Sequence, residues 1–151
     1  MRKDLPFETT IEVRDRCMCL QVNRAARVIA RRFDEAFRPF GISNGQFSLL
    51  MSLNRPQAPR MGDVADLLAM DRTTLTANLK PLERRGLIMI AVDETDRRSR
   101  RLSLTQAGHA LLKRAVPVWR ATHDAIDQTL KRGAPERLRA DLEALCASGK
   151  G

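Results

Sequence analysis

Between residues 71 and 80 the chain reads Asp-Arg-Thr-Thr-Leu-Thr-Ala-Asn-Leu-Lys, and between 97 and 101 it reads Arg-Arg-Ser-Arg-Arg. Neither segment holds a nucleophile beside a base, so the chemistry on offer is recognition of polyanions. Arg72 can fork onto guanine O6 and N7, and Asn78 matches the edge of adenine. Thr73, Thr74 and Thr76 can donate to phosphate or touch a thymine methyl, and Ala77 and Lys80 share the segment. Arg97, Arg98, Arg100 and Arg101 concentrate positive potential where a narrow minor groove attracts guanidinium groups, and Asp96 is placed to orient one of them. An ordinary solvated surface explains either segment alone. Their succession favours duplex DNA.

The whole chain agrees with this. Lys and Arg outnumber Asp and Glu 27 to 18, giving a formal charge of +9 that draws polyanions to the surface. Single-strand and RNA readers stack bases on aromatic platforms, and only 4% of this chain is aromatic, with no tyrosine. No phosphate-cradling glycine loop, nucleophile elbow or paired-cysteine zinc spacing is present, and His109 and His123 are isolated, so no enzyme, cofactor or metal is expected. The absence of a long apolar run and the odd cysteine count of three argue for a cytoplasmic protein without a membrane partner.

The elements that hold these residues follow from apolar spacing. Met18, Val22, Ala25, Ile29, Phe33, Ala36 and Phe40 recur every three or four residues and predict one long helix from about Val13 to Phe40, with Arg24, Arg27, Arg31, Arg32 and Arg38 on its other side. Ser43 and Gln46 form a capping box before a helix with Phe47, Leu50, Met51 and Leu53 inward. Pro56 and Pro59 end it. A short helix over Met61 to Leu68, a turn, and a helix from Arg72 to Arg85 capped by Asp71 make a helix-turn-helix. Leu75, Leu79 and Leu82 should face the core, Gly86 should end the helix in the left-handed region, and Pro81 should kink its last turn. Two strands, 87–92 and 100–104, flank a charged hairpin tip. Thr105 then caps a long helix with Pro117 in its middle, and a last helix carries Leu138, Leu142 and Leu145 on one side. The expected fold is mostly α with a small β-hairpin.

These segments, in order, resemble the MarR family of winged-helix regulators from Ala25 to about Ala115. The similarity rests on Leu67-Leu68, Met70 to Thr76, Leu82-Glu83-Arg84-Arg85-Gly86-Leu87-Ile88, Asp93 through Asp96-Arg97-Arg98-Ser99, and Leu102-Ser103-Leu104-Thr105 to Gly108. Two positions depart from it: Arg60 stands where relatives often have a capping Ser or Thr, and Ala69 replaces a common turn glycine. The resemblance implies a single domain over 1–151, with a winged helix over about 43–105 flanked by dimerisation helices over about 12–40 and 106–147. It implies a homodimer on a palindromic operator, with recognition helices in successive major grooves and the wing residues Arg97 and Arg98 in the minor grooves. It further implies a repressor released by a small aromatic or anionic effector bound between the helical base and the DNA-reading lobes.

The alternative signal is oxidative. Cys19 aligns with the peroxide-reactive cysteine of the organic-hydroperoxide-resistance regulators, a subgroup of the family, although Asn23 and Phe33 occupy the positions of its supporting tyrosines. Within one continuous helix Cys17 and Cys19 would point about 200° apart and could not pair, leaving Cys146 of another subunit as a resolving thiol.

Overall fold

A computed structural model of the chain describes residues 4–149. It contains seven α-helices and one two-stranded antiparallel sheet, and the expected mostly helical winged-helix fold is the one observed. The helices are α1 (Phe7–Arg16), α2 (Met18–Phe37), α3 (Asn44–Ser52), α4 (Met61–Leu67), α5 (Arg72–Arg84), α6 (Gln106–Asp127) and α7 (Ala134–Ser148), with strands β1 (Ile88–Val92) and β2 (Arg100–Leu104) between α5 and α6.

The single N-terminal helix expected over Val13 to Phe40 is in fact two helices and a turn. Cys17 adopts an extended backbone (φ −70°, ψ 103°) and caps α2, its sulfur accepting from the Leu20 N–H at 3.5 Å. The apolar stripe runs on through the break, which is why periodicity alone missed it. At the other end α2 stops at Phe37, and Arg38–Phe40 form one tighter 3-10 turn closed by Gly41 in the left-handed region (φ 63°).

Phe37 is fully buried and carries the core from α2 into α3, stacking on Phe33 at 5.9 Å and on Phe47 at 4.6 Å. α2 packs along α6 to form a stem, and α3 bridges that stem to the lobe made of α4, α5 and the hairpin. Leu49, Leu50, Val64, Leu75, Leu79, Leu82 and Leu102 close the core of this lobe. Met51, expected inward, is 38% exposed, and Leu49 takes its place.

The lobe meets the stem by a close backbone approach. The Thr105 hydroxyl accepts from the Gly108 N–H and donates to the Gly86 carbonyl at 2.6 Å, while the Thr105 N–H donates to the Leu87 carbonyl. A Cβ at Gly108 would lie 2.0 Å from that Leu87 carbonyl oxygen, so only glycine fits the first turn of α6 here.

Candidate nucleic-acid interface

The geometry of α5 is set by its cap and its buried stripe. Asp71 accepts from the Thr74 N–H at 2.7 Å and from the Thr74 hydroxyl at 2.8 Å, and these bonds hold its carboxyl below the usual carboxylate range. Leu75, Leu79 and Leu82 are fully buried. At about 100° per residue, Thr73, Ala77, Lys80 and Arg84 therefore share the opposite, exposed face. Arg84 was missed by the sequence reading, although the same helical spacing from Thr73, Ala77 and Lys80 marks it. Gly86 ends the helix at φ 67° as expected, with the Leu87 N–H returning to the Leu82 carbonyl. Pro81 lies in the last turn without ending the helix, because the Arg85 N–H still closes on the Pro81 carbonyl at 3.2 Å.

Arg72, Thr74, Thr76 and Asn78 are exposed beside that face. Three of them are held by local bonds. The Thr76 hydroxyl donates to the Arg72 carbonyl at 2.8 Å, and the Asn78 amide donates to the Thr74 carbonyl at 3.0 Å. Thr74 is tied to Asp71, so it serves the cap first. Arg72 reaches back over α4, where its guanidinium lies 3.4 Å from the position a Cβ on Gly62 would take.

The turn into α5 carries strain. Ala69 has φ 51°, the left-handed region that a glycine would occupy without cost. Its own N–H donates to the Asp66 carbonyl, and the Met70 N–H donates to the Ala65 carbonyl at 2.9 Å. Those bonds hold the turn in spite of the side chain.

In the wing, Arg97, Arg98 and Arg100 are exposed at the tip and at the start of β2. Among the described residues no carboxylate lies within ion-pair distance of Arg72, Lys80, Arg84, Arg97, Arg98 or Arg100. The expectation that Asp96 orients an arginine side chain is corrected: it accepts from the backbone N–H of Arg98 at 3.0 Å and shapes the turn instead.

The organising acid is Asp93, whose side chain is only 1% exposed. It accepts from the Thr95 hydroxyl at 2.7 Å and the Thr95 N–H at 2.8 Å, then from Arg60 Nε at 3.0 Å and Arg101 Nε at 2.7 Å. Those Thr95 bonds, and after them the two guanidinium groups, keep its carboxyl well below the ordinary range. Arg101 also donates to the Ala58 carbonyl at 2.8 Å, which takes it out of the free wing arginines. Arg60, the departure at the cap position, thus exchanges a capping hydroxyl for a tie to the wing. Of a capping box only the reciprocal half remains, in which Asp63 accepts the Arg60 N–H at 3.2 Å. Residue 60 bridges Arg101 as a one-residue third strand.

A cleft of about 470 Å³ opens between α3, the end of α4 and α6, lined by Phe47, Met51, Leu67, Leu68, Val116 and Trp119, with Arg120 at its rim. Trp119 stacks on Phe47 at 6.4 Å and meets His123 at a tilt of 48° and 5.0 Å, so the stem side of the cleft is aromatic.

Cys19 is exposed, and the Asn23 amide donates to its sulfur at 3.2 Å. Phe33 is buried in the core and supplies no donor. Because Cys17 lies at the helix break, the angle between two helical positions does not describe the Cys17–Cys19 pair, and that argument against their pairing falls. Cys146 is exposed on α7.

The model of the MarR family matches residues 42–99. The M. tuberculosis transcriptional regulator MosR, solved in complex with DNA, is 34% identical with a TM-score of 0.80, and the match covers 89% of this chain and 96% of MosR. The chain belongs to the MarR family. The HTH-type transcriptional regulator PecS of Dickeya dadantii is 33% identical over 98 residues, 63% of this chain and 59% of PecS. The organic hydroperoxide resistance transcriptional regulator of Bacillus subtilis is 28% identical over 67% of this chain and 69% of its own length. The chain therefore spans about three-fifths of the length of PecS, and the MarR segment proper coincides with α3, the helix-turn-helix and the wing tip.

Proposed function

We infer that this MarR-family protein is a homodimeric transcriptional regulator that binds a palindromic duplex operator and represses until a small effector releases it. One observation carries the reading: α5 presents Thr73, Ala77, Lys80 and Arg84 on one exposed face, beside a wing whose Arg97, Arg98 and Arg100 have no carboxylate partner among the described residues. A helix with that face enters a major groove, and the adjoining arginines reach the flanking minor groove. Arg72, Thr76 and Asn78 border the same surface and contribute once their local bonds exchange for DNA. No catalytic role is assigned to any residue. A protein acting on the chromosome works in the cytoplasm, and among the described residues no helix is long and apolar enough to cross a membrane.

The second subunit is assigned to the exposed apolar residues of the arms. Val13, Met18 and Val22 at one end and Leu138, Leu142 and Leu145 at the other remain 38–64% exposed in the single chain. Patches of this kind are covered most simply by a two-fold copy. Two recognition helices then stand about one helical turn, roughly 34 Å, apart.

The effector is assigned to the cleft under Trp119. Apolar and aromatic walls with one guanidinium at the rim suit an aromatic carboxylate or a similar anion. Leu67 and Leu68 line it immediately before the turn into α5, so an occupant that moves them moves the recognition helix.

The test is selection of genomic duplex fragments against excess nonspecific DNA at physiological salt. Enrichment of a palindromic site by wild-type protein, lost in Arg72→Ala and Arg97→Ala, supports the reading. Uniform, salt-sensitive binding to every fragment overturns it.

A second reading, a peroxide-sensing repressor, draws on the Asn23–Cys19 bond. The Cys19 thiolate attacks the O–O bond of an organic hydroperoxide, giving a sulfenic acid while the alkoxide leaves and is protonated by water to the alcohol. Hydroperoxide that releases DNA from wild-type protein but not from Cys19→Ser supports it. DNA affinity unchanged by hydroperoxide in the fully reduced protein refutes it.

A further inference from the structure

The end of the recognition helix is tied down at two places: the Thr105 hydroxyl of the stem holds the Gly86 carbonyl, and the Arg85 side chain reaches the turn at residues 38–41, the elbow between α2 and α3. Arg85, the residue that ends α5, donates from Nη1 to the Gly41 carbonyl at 2.6 Å and from Nη2 to the Phe40 carbonyl at 3.3 Å. Among the described residues these are the only side-chain hydrogen bonds that residues 72–85 make to the stem or its elbow, the Thr105 hydroxyl meeting the chain just beyond, at the Gly86 carbonyl. Among the described residues no carboxylate pairs with this guanidinium, and the two carbonyls belong to an element more than forty residues earlier in the chain.

The elbow that receives Arg85 is fixed from three sides. Arg38 pairs with Glu35 on α2, and the Asn44 N–H donates to Asp34 at 2.6 Å, locking the start of α3 to α2. Ser43 and Gln46 close a reciprocal capping box on the next residues. From the stem, the Arg114 guanidinium lies over the Phe40 ring, 5.5 Å from its centroid. Gly41 sits at φ 63°, and a Cβ there would stand 3.5 Å from Arg85 Nη2, so the carbonyls are presented by a turn that leaves room for the guanidinium. A forked, charge-assisted donor on a rigid pair of acceptors fixes direction as well as distance.

We propose that Arg85 is a positioning residue that sets the angle between recognition helix and stem, and through it the half-site spacing the dimer accepts. The inference rests on the DNA-binding dimer described above. α5 is 13 residues long, about 20 Å, and Arg85 holds its C-terminal end. Small rotations about that end displace the DNA-facing side chains by ångströms. One base pair of spacer moves a half-site by about 3.4 Å and rotates it by about 35°, so a fixed angle in each subunit admits one spacing and rejects its neighbours.

The experiment uses the full-length protein and a palindromic duplex selected by the wild type. Affinity is measured for that duplex, for versions with the central spacer lengthened or shortened by one base pair, and for a duplex carrying one half-site. Wild type is expected to prefer its own spacing by roughly tenfold or more, within the range one mismatched position costs. Arg85→Met is expected to reduce that preference to less than about threefold while half-site affinity stays within about twofold. Arg85→Lys, which keeps a cation able to reach one carbonyl, is expected to fall between them. Thermal melts of each variant confirm folding, and if Arg85→Met does not fold, Arg85→Lys alone decides. An unchanged spacing profile in the folded variants overturns the inference, as does an equal loss of affinity for every duplex. A wild type with no spacing preference overturns the dimer reading and this inference with it.

Discussion

Leu75, Leu79 and Leu82 of α5 and Leu102 of β2 have no exposed surface in a single chain, whereas Leu138, Leu142 and Leu145 of α7 are 44%, 38% and 49% exposed. Both sets are leucines at helical or strand spacing, and composition does not distinguish them. The difference is what surrounds them. The lobe folds α4, α5 and the hairpin onto α3 and closes its core internally. α1 buries none of its residues and α7 buries only Pro135, being held to α6 chiefly by the Arg139–Asp127 fork at 3.0 Å. The lobe thus closes its core within one chain, whereas the arms leave their apolar residues uncovered, which is where the proposed dimer places the second copy.

Substitutions in the two regions should separate accordingly. The largest effect belongs to the arms: Leu142→Glu places a charge in the proposed subunit interface and should convert dimer to monomer in sedimentation. It should lower affinity for a palindromic site by about 100-fold or more, because the second half-site contact is lost, while thermal unfolding of the lobe changes little. Next, Leu79→Ala leaves a cavity in the lobe and should destabilise it by about 2–5 kcal/mol in denaturant melts, with the subunit association unchanged. Equal effects of the two substitutions on association would break the comparison.

Arg97→Ala sharpens it further. Removing one wing guanidinium from the flanking minor groove should weaken binding to the selected palindrome more than to nonspecific duplex and reduce the log–log salt slope by about one, without altering stability.

Smaller effects arise where the lobe is held together. Asp93 has a folded-state carboxyl below its unfolded value of about 3.9, so its contribution is fully present above about pH 5 and is lost as pH falls through the acid range. Asp93→Asn should therefore melt at lower temperature than wild type at pH 7, and the gap should shrink as the solution is acidified. The smallest effect is a gain: Ala69→Gly relieves the φ of 51° and should add up to about 1 kcal/mol in denaturant melts, since the glycine's extra unfolded-state entropy offsets part of the relief.

Much of this was legible in the sequence because it depends on local rules. Asp71, Ser43, Thr105 and Gly86 act at helix ends as their types dictate, and the Leu75, Leu79 and Leu82 stripe fixed the outward face of α5. What escaped depends on partners distant in the chain. Nothing local distinguishes Arg101, which faces Asp93 and the Ala58 carbonyl, from Arg100, which donates to the Arg97 and Ser99 carbonyls of its own turn and, among the described residues, pairs with no carboxylate. Arg60 looked like a poor cap, and its role appears only when the wing folds back over residue 60. Cys17 broke a helix whose apolar period continued unperturbed, because a helix cap depends on backbone angles that the stripe does not record.

Two lobes reading one duplex through two stems is the arrangement on which the proposed function rests. Its most direct test is hydroxyl-radical footprinting of the wild-type protein on a selected duplex, with the mass of the complex measured in parallel. Two chains per duplex, with two symmetric protected patches about one helical turn apart and flanking minor-groove protection that disappears in Arg97→Ala, is the predicted result. A single protected patch, or diffuse protection along the whole duplex, would contradict it.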